Sequence, residues 1–213
     1  MNIFTINNST INPSNTKTYV QGGIQDNLKL VEVKFQTVES TGNQFLAFKW
    51  ENQQGNPLNY TFWQPKPSKP IEAMGAEEKR IFLEFKVGYP MGILRQLIEV
   101  YKGKIDWDKE NLSTSTFKEF ADKIVALLGD SYKDKLVRIK VVYDNKGFTT
   151  LPKDPKFPFI ESMDVPKEDT SIQIIEGKDV VVRPQMKGDV EIKEENPLNE
   201  AFTAPTKTDD IPF

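Results

Sequence analysis

From Leu28 onward the apolar residues fall into short runs with a period of two. In "LKLVEVKFQTV" Leu28, Leu30 and Glu32 lie on one face, and Lys29, Val31, Val33 and Phe35 on the other. β-Branched residues recur throughout, which predicts a strand. "STGNQ" (40–44) reads as a turn. The next strand, "FLAFKWEN", has Leu46, Phe48 and Trp50 on one face and Phe45, Ala47 and Lys49 on the other. "QQGNP" (53–57) is a second turn and "LNYTFWQ" (58–64) a third strand. Three strands joined by short Gly/Asn turns predict an antiparallel meander. "QPKPSKP" (64–70) ends it, since proline supplies no ladder donor.

The period then changes. The stretch 76–87, "AEEKRIFLEFKV", reads two ways: Ile81, Leu83 and Phe85 alternate as in a strand, whereas the Glu/Lys-rich start suits a helix. "MGILRQLIEVYKG" (91–103) has Leu94, Leu97, Ile98 and Tyr101 at helical spacing, with Gly103 as a C-cap. "TFKEFADKIVALLG" (116–129) is the clearest helix. Thr116 and Glu119 have capping-box spacing, Phe117, Phe120, Ala121, Ile124, Leu127 and Leu128 form one apolar face, and Gly129 ends it. "LVRIKVVYD" (136–144) returns to a strand. A "DNKG" turn, the continuation "FTTL" and an aromatic-rich "PKFPFIES" (155–162) follow. "IQII" and "DVVVR", flanking Glu176-Gly177-Lys178, pattern as a small appended hairpin.

These elements predict a polar arm over 1–27, one domain over 28–183, and a disordered acidic tail over 184–213, where no apolar periodicity survives. The fold class is mainly β with added helices. About five strands with a helix inserted between the third and fourth is the layout of an OB-fold, a five-stranded antiparallel barrel that often binds oligonucleotides. Another β-barrel or a sandwich has the same strand count.

Composition adds limits. The 213 residues are 38% hydrophobic, with 14 Phe, 6 Tyr and 3 Trp, enough for one domain with a substantial core. Net charge is −3, unevenly spread. Residues 1–160 hold 22 Lys+Arg against 18 Asp+Glu, whereas 161–213 hold 6 against 13. An acidic tail on a mildly basic body occurs in nucleic-acid-handling proteins and in tails that serve solubility alone. Cysteine and histidine are absent, which removes disulfides, thiolate nucleophiles, Cys/His zinc sites and imidazole acid–base chemistry.

No catalytic set is visible, and no cofactor or metal is expected, although carboxylate-only nuclease chemistry stays open. Asp106, Asp108 and Glu110 lack the glycine and distal Glu of a calcium loop. Ser113 and Ser115 have no base to activate them and read as capping residues. The N-terminus lacks the pattern of a signal peptide, and no run approaches the roughly 18 apolar residues of a membrane span. A cytoplasmic protein without membrane contact is therefore expected, and Asn-x-Ser/Thr matches such as those at Asn8, Asn59 and Asn111 carry little weight as glycosylation sites.

The second and third strands interleave rings with lysines. Proteins bind single strands without sequence choice by stacking bases on aromatic faces while cations follow the phosphates. Trp50, Tyr60, Phe62 and Trp63 supply candidate rings, and Lys34, Lys49, Lys66 and Lys69 candidate charges. A second patch, Tyr143, Lys146, Phe148 and Lys153 with Phe157 and Phe159 nearby, falls on the last hairpin of the same barrel. Alternating aromatics in strands are also the ordinary material of a core. Rings that flank turns and prolines, namely Tyr60, Trp63 and Phe148, are the better candidates.

The chain closes on "TDDIPF". Asp209-Asp210-Ile211-Pro212-Phe213 resembles the C-terminal tip of bacterial single-stranded DNA-binding proteins. By average residue usage, such a match at one fixed place arises on the order of once per million chains or more rarely. The resemblance covers only this end. The body lacks the usual opening and the Gly/Gln/Pro-rich linker of the bacterial proteins, and is more similar to a bacteriophage-encoded member with an elaborated OB-fold.

The resemblance implies a coat for single-stranded DNA in replication, recombination and repair, in the host cytoplasm if phage-encoded, with possible homo-oligomers left open. It also implies that the tip docks on partner enzymes. Phe213 would fill an apolar pocket, its carboxylate would pair with Arg or Lys, and Asp209 and Asp210 would meet a basic rim. The alternative is an adaptor or inhibitor that imitates the tip without binding DNA.

Overall fold

A single long strand organises the fold. In the computed structural model, which describes residues 19–110 and 112–184, β1 (Gly23–Val38) pairs with a different neighbour along each half. Its first half, Gly23 to Lys29, runs antiparallel to β4 (Leu136–Tyr143), and its second half, Lys29 to Val38, to β2 (Asn43–Glu51). Register shifts between Gln25 and Leu28 and between Leu30 and Glu32 bend it, as bulges do by inserting an unpaired residue. Asn27 takes up the first with φ of 59°, a left-handed conformation that asparagine tolerates better than most residues.

β3 (Pro57–Trp63) pairs with β2, and β5 (Thr149–Thr150) with the end of β4, so the order is β3-β2-β1-β4-β5. β6 (Ile160–Ser162) pairs with β4 beside β5. β3 and β5 approach each other but share no ladder. The result is a mainly-β, nearly closed five-strand antiparallel barrel with added helices.

The strand begins earlier than the sequence pattern suggests. Val20 is already buried, and its N–H donates to the Pro57 carbonyl at 3.3 Å, so residues 19–27 pack with the barrel rather than extending from it. The bulge at Asn27 scrambles the period of two and hides this start. The remaining residues of the expected arm, 1–18, and of the expected tail, 185–213, lie outside the described residues, as does the Asp209–Phe213 tip.

The ambiguous stretch 76–87 is helical. α1 (Ala76–Ile81), a π-helical segment (Phe82–Gly88) and α2 (Tyr89–Lys102) form one run, with helical dihedrals at both junctions. Pro90 supplies the physical reason for the wide turns. It has no N–H for the carbonyl four residues back, and its ring would crowd that carbonyl in a regular α-helix. Ile81, Leu83 and Phe85, whose alternation resembles a strand, are all exposed, and Phe82 is the buried residue of the π-helical segment.

α3 (Phe117–Leu128) follows its pattern closely. The Thr116 hydroxyl accepts from the Glu119 N–H at 3.2 Å, and the Glu119 carboxylate accepts from the Ser115 N–H and hydroxyl at 3.2 and 3.0 Å. This reciprocal arrangement satisfies free donors at the helix start.

The core lies between the inner barrel face and the two longer helices. Leu46, Phe48, Trp50, Leu58 and Phe62 from β2 and β3 meet Leu94, Leu97, Ile98 and Tyr101 of α2 and Phe120, Ala121 and Ile124 of α3. Phe62 stacks on Phe117 with ring centroids 6.0 Å apart. The pattern "IQII…DVVVR" forms a turn rather than a hairpin. Lys178 and Asp179 donate backbone N–H groups to the Ile175 carbonyl, and the Val180 carbonyl accepts from Tyr143 at the end of β4. Buried Lys140 fixes this segment through Asp179 at 2.7 Å and the Gln173 carbonyl at 2.8 Å.

Candidate nucleic-acid interface

The pairing of β2 with β3 decides which rings face solvent. Leu46 pairs with Phe62, Phe48 with Tyr60, and Trp50 with Leu58 on the inner face. Trp50 and Phe62 are fully buried. These two are therefore corrected from stacking candidates to core residues, since a ring enclosed on both faces has none to offer a base. Phe159 is core for the same reason, and Phe157 lies under the Lys178 ammonium, 4.8 Å from its ring centroid.

Trp63 lies on the outer face opposite Phe45, with ring centroids 4.7 Å apart, and is 50% exposed. Phe45 thus supports one side of the indole. Tyr60, in the middle of β3, points inward and packs against the core, yet still lines the groove at the barrel opening. Burial pushes its phenol above the ordinary value of 10, so it stays neutral.

The lysines divide as well. Lys34 pairs with Glu32, Lys49 with Glu51 and Lys69 with Glu78, each at 2.6 to 2.7 Å. Hydrogen bonding and charge from Glu51 raise the Lys49 ammonium above its usual range. An anion approaching these three meets a carboxylate too. Lys66 instead donates to the neutral Asn43 side chain at 2.8 Å. Among the described residues no salt bridge involves Lys66, Lys146 or Lys153.

The loop between β4 and β5 is preformed. The Asp144 carboxylate accepts from the Lys146 and Phe148 N–H groups, both at 2.9 Å, and the Asp144 N–H donates to the Phe148 carbonyl at 2.8 Å. Gly147, with φ of 72°, permits the tight reversal. The loop holds the Phe148 ring 60% exposed, and Lys146, two residues before it, is exposed as well.

Where β3 and β5 fail to join, a groove of about 1050 Å³ opens. β3 and the segment after it contribute Tyr60, Trp63 and Lys66; β5 and the loop after it contribute Thr150, Lys153 and Asp154; the helical run contributes Phe85, Lys86 and Tyr89. A second groove of about 560 Å³ shares Asn59 and Thr149 with the first and continues to Tyr19, Tyr143, Phe148 and Arg183. Phe85, Lys86, Tyr89, Tyr19 and Arg183 are absent from the sequence-based candidates. The exposed ring in the two-way stretch 76–87 is the one signal that points to any of them.

Among the described residues no cluster of three or more carboxylates suits a metal ion, and no helix is long and apolar enough to cross a membrane. Of the acids at 106–110, Asp106 pairs with Lys109 at 2.7 Å. In comparisons with known proteins the chain matches no protein-family model and no curated sequence.

Proposed function

We propose that this protein is a non-enzymatic, sequence-independent binder of single-stranded DNA, built on an OB-fold. The observation that carries the reading is the pair of adjoining grooves at the β3–β5 opening, lined by the exposed rings of Trp63, Phe85 and Phe148 and by Lys66 and Lys153, which form no salt bridge among the described residues. Trp63 in the first groove and Phe148 in the second are the principal stacking platforms, and the edge of Tyr60 lines the first. Lys66, Lys146 and Lys153 follow the phosphates. Binding by stacking is tolerant of sequence because every base has a π-face. The strand topology supports the OB assignment: β1 serves both halves of the barrel, helices connect β3 to β4, and the β2–β3 region and the β4–β5 loop flank the groove, where such folds bind oligonucleotides.

The Asp209–Phe213 segment is proposed to dock on replication, recombination and repair enzymes, so that the protein coats a strand and recruits partners to it. The same segment favours a second reading, an adaptor or inhibitor that occupies those enzymes without touching DNA. Filter binding of a labelled oligonucleotide separates the two: retention supports the coat, and a tip-dependent enzyme interaction without any retention supports the adaptor.

A further inference from the structure

We propose that the helical insertion forms the second wall of the nucleic-acid groove, with the Phe85–Tyr89 ring pair receiving a base and Lys86 an adjoining phosphate. This inference rests on the reading of the groove as a single-strand site and adds a contact from outside the barrel strands.

Phe85 is 45% exposed on a helical run whose other face packs into the core. Its ring meets that of Tyr89 edge-on, with centroids 4.9 Å apart, and both line the groove that Trp63 lines from β3. The Lys156 ammonium lies 5.8 Å from the Tyr89 ring centroid and adds positive charge to this wall. The site is thus an aromatic surface with cations around it, the combination that suits a base and its phosphate.

Charge selects the occupant. Lys66, Lys86 and Lys153 line the groove with Asp144 and Asp154 as its acids. Both acids are already committed, Asp144 to the N–H groups of its own loop and Asp154 to the Lys156 N–H and the Lys178 ammonium. An apolar peptide would leave the three lysines without an anion; a single strand supplies one phosphate per nucleotide.

The wall is held at a fixed distance. A Cβ on Gly92 would come within 2.7 Å of the Pro155 side chain, so only glycine lets α2 approach the loop after β5 this closely. The Gln96 amide donates to the Pro155 carbonyl at 2.7 Å. The π-helical segment ends immediately before Tyr89, and such segments frequently occur at functional sites.

The test compares Phe85→Ala and Lys86→Glu with Leu83→Ala, which removes an equally exposed side chain from the same segment outside the groove. Each variant is titrated against a fluorescein-labelled oligo-dT by anisotropy, with melting temperature as the fold control. Phe85→Ala is expected to weaken binding about 5- to 150-fold, Lys86→Glu to weaken it further at low than at high salt, and Leu83→Ala to bind as the parent does. Photocrosslinking of the parent protein to a 5-iodouracil oligonucleotide is expected to label Phe85 or Tyr89. Unchanged binding by Phe85→Ala and Lys86→Glu, with Trp63→Ala still impaired, would overturn the helical wall and leave the single-strand reading standing. Failure of the parent protein to bind the oligonucleotide overturns both.

Discussion

The indole N–H of Trp50 donates a 2.8 Å hydrogen bond to the phenol oxygen of Tyr101, and both side chains are buried. This bond ties the C-terminal end of β2 to the last turn of α2, so the helical insertion and the barrel share one core. It also removes Trp50 from any role in stacking. Trp63, on the outer face one strand away, is instead half exposed and open to a ligand.

Trp50→Phe is expected to lower stability by about 1–3 kcal/mol, because the Tyr101 hydroxyl loses its partner in a buried setting. Trp50→Ala should cost about 3–5 kcal/mol through the cavity it leaves. Urea unfolding reads both. At temperatures where the variants remain folded, affinity for a single strand should equal that of the parent.

Trp63→Ala should show the reverse. Half exposed and supported on one side by Phe45, the ring contributes little to the core, so unfolding should shift by less than about 1 kcal/mol. Loss of its stack should cost about 1–3 kcal/mol of binding. Trp63→Phe should keep part of the affinity yet abolish the quenching of intrinsic fluorescence that accompanies binding. Quenching that persists in Trp63→Phe would assign the signal to another tryptophan.

The strand pattern of β2 and β3 and the apolar stripe of α3 were legible because their periods are regular and their turns carry Gly and Asn. The division of rings between core and groove was legible only in part. Proximity to turns and prolines singled out Trp63 and Phe148, which are exposed, but also Tyr60, which packs against the core; that Trp50 is enclosed follows only from Tyr101 on α2. The start of β1 was obscured by the bulge at Asn27. The helical wall was hidden for a related reason: Ile81, Leu83 and Phe85 are solvent-exposed helical residues, and exposed apolar positions leave no burial period to read.

Buried charge makes acid stability a test of the fold. Arg138 pairs with Asp26 at 2.6 Å and with Glu161 at 2.7 Å, and Glu161 also accepts from the Thr170 hydroxyl. Burial alone would raise the Glu161 carboxyl, but hydrogen bonds from Thr170 and Arg138 outweigh it and hold the group below its ordinary value of 4.5. A depressed folded value means that its contribution is present above the unfolded value and is lost as pH falls through the folded one. Glu161→Gln should flatten the acid limb of a stability–pH curve. Glu161→Ala should cost about 1–3 kcal/mol near neutrality, since Arg138 and Thr170 lose an acceptor while Asp26 still pairs with Arg138.

Phe213→Ala and removal of Asp209–Phe213 should leave the melting temperature unchanged, while docking to a replication or repair enzyme is lost. Single-strand affinity should stay the same or tighten at low salt, since fewer negative charges compete with phosphate. Isothermal calorimetry with a peptide ending in Asp-Asp-Ile-Pro-Phe measures the docking directly. Partner affinity that survives truncation assigns docking to another surface.

A groove that binds unpaired bases must distinguish a single strand from a duplex. Anisotropy of one labelled oligonucleotide, measured single-stranded and then annealed to its complement at low and high salt, tests it most directly. The account predicts micromolar or tighter binding of the single strand, weakening as salt rises because phosphate neutralisation releases counterions. Binding of the duplex should be far weaker, since paired bases cannot stack on Trp63 or Phe148. Equal affinity for the two forms, or no affinity for the single strand, would contradict it.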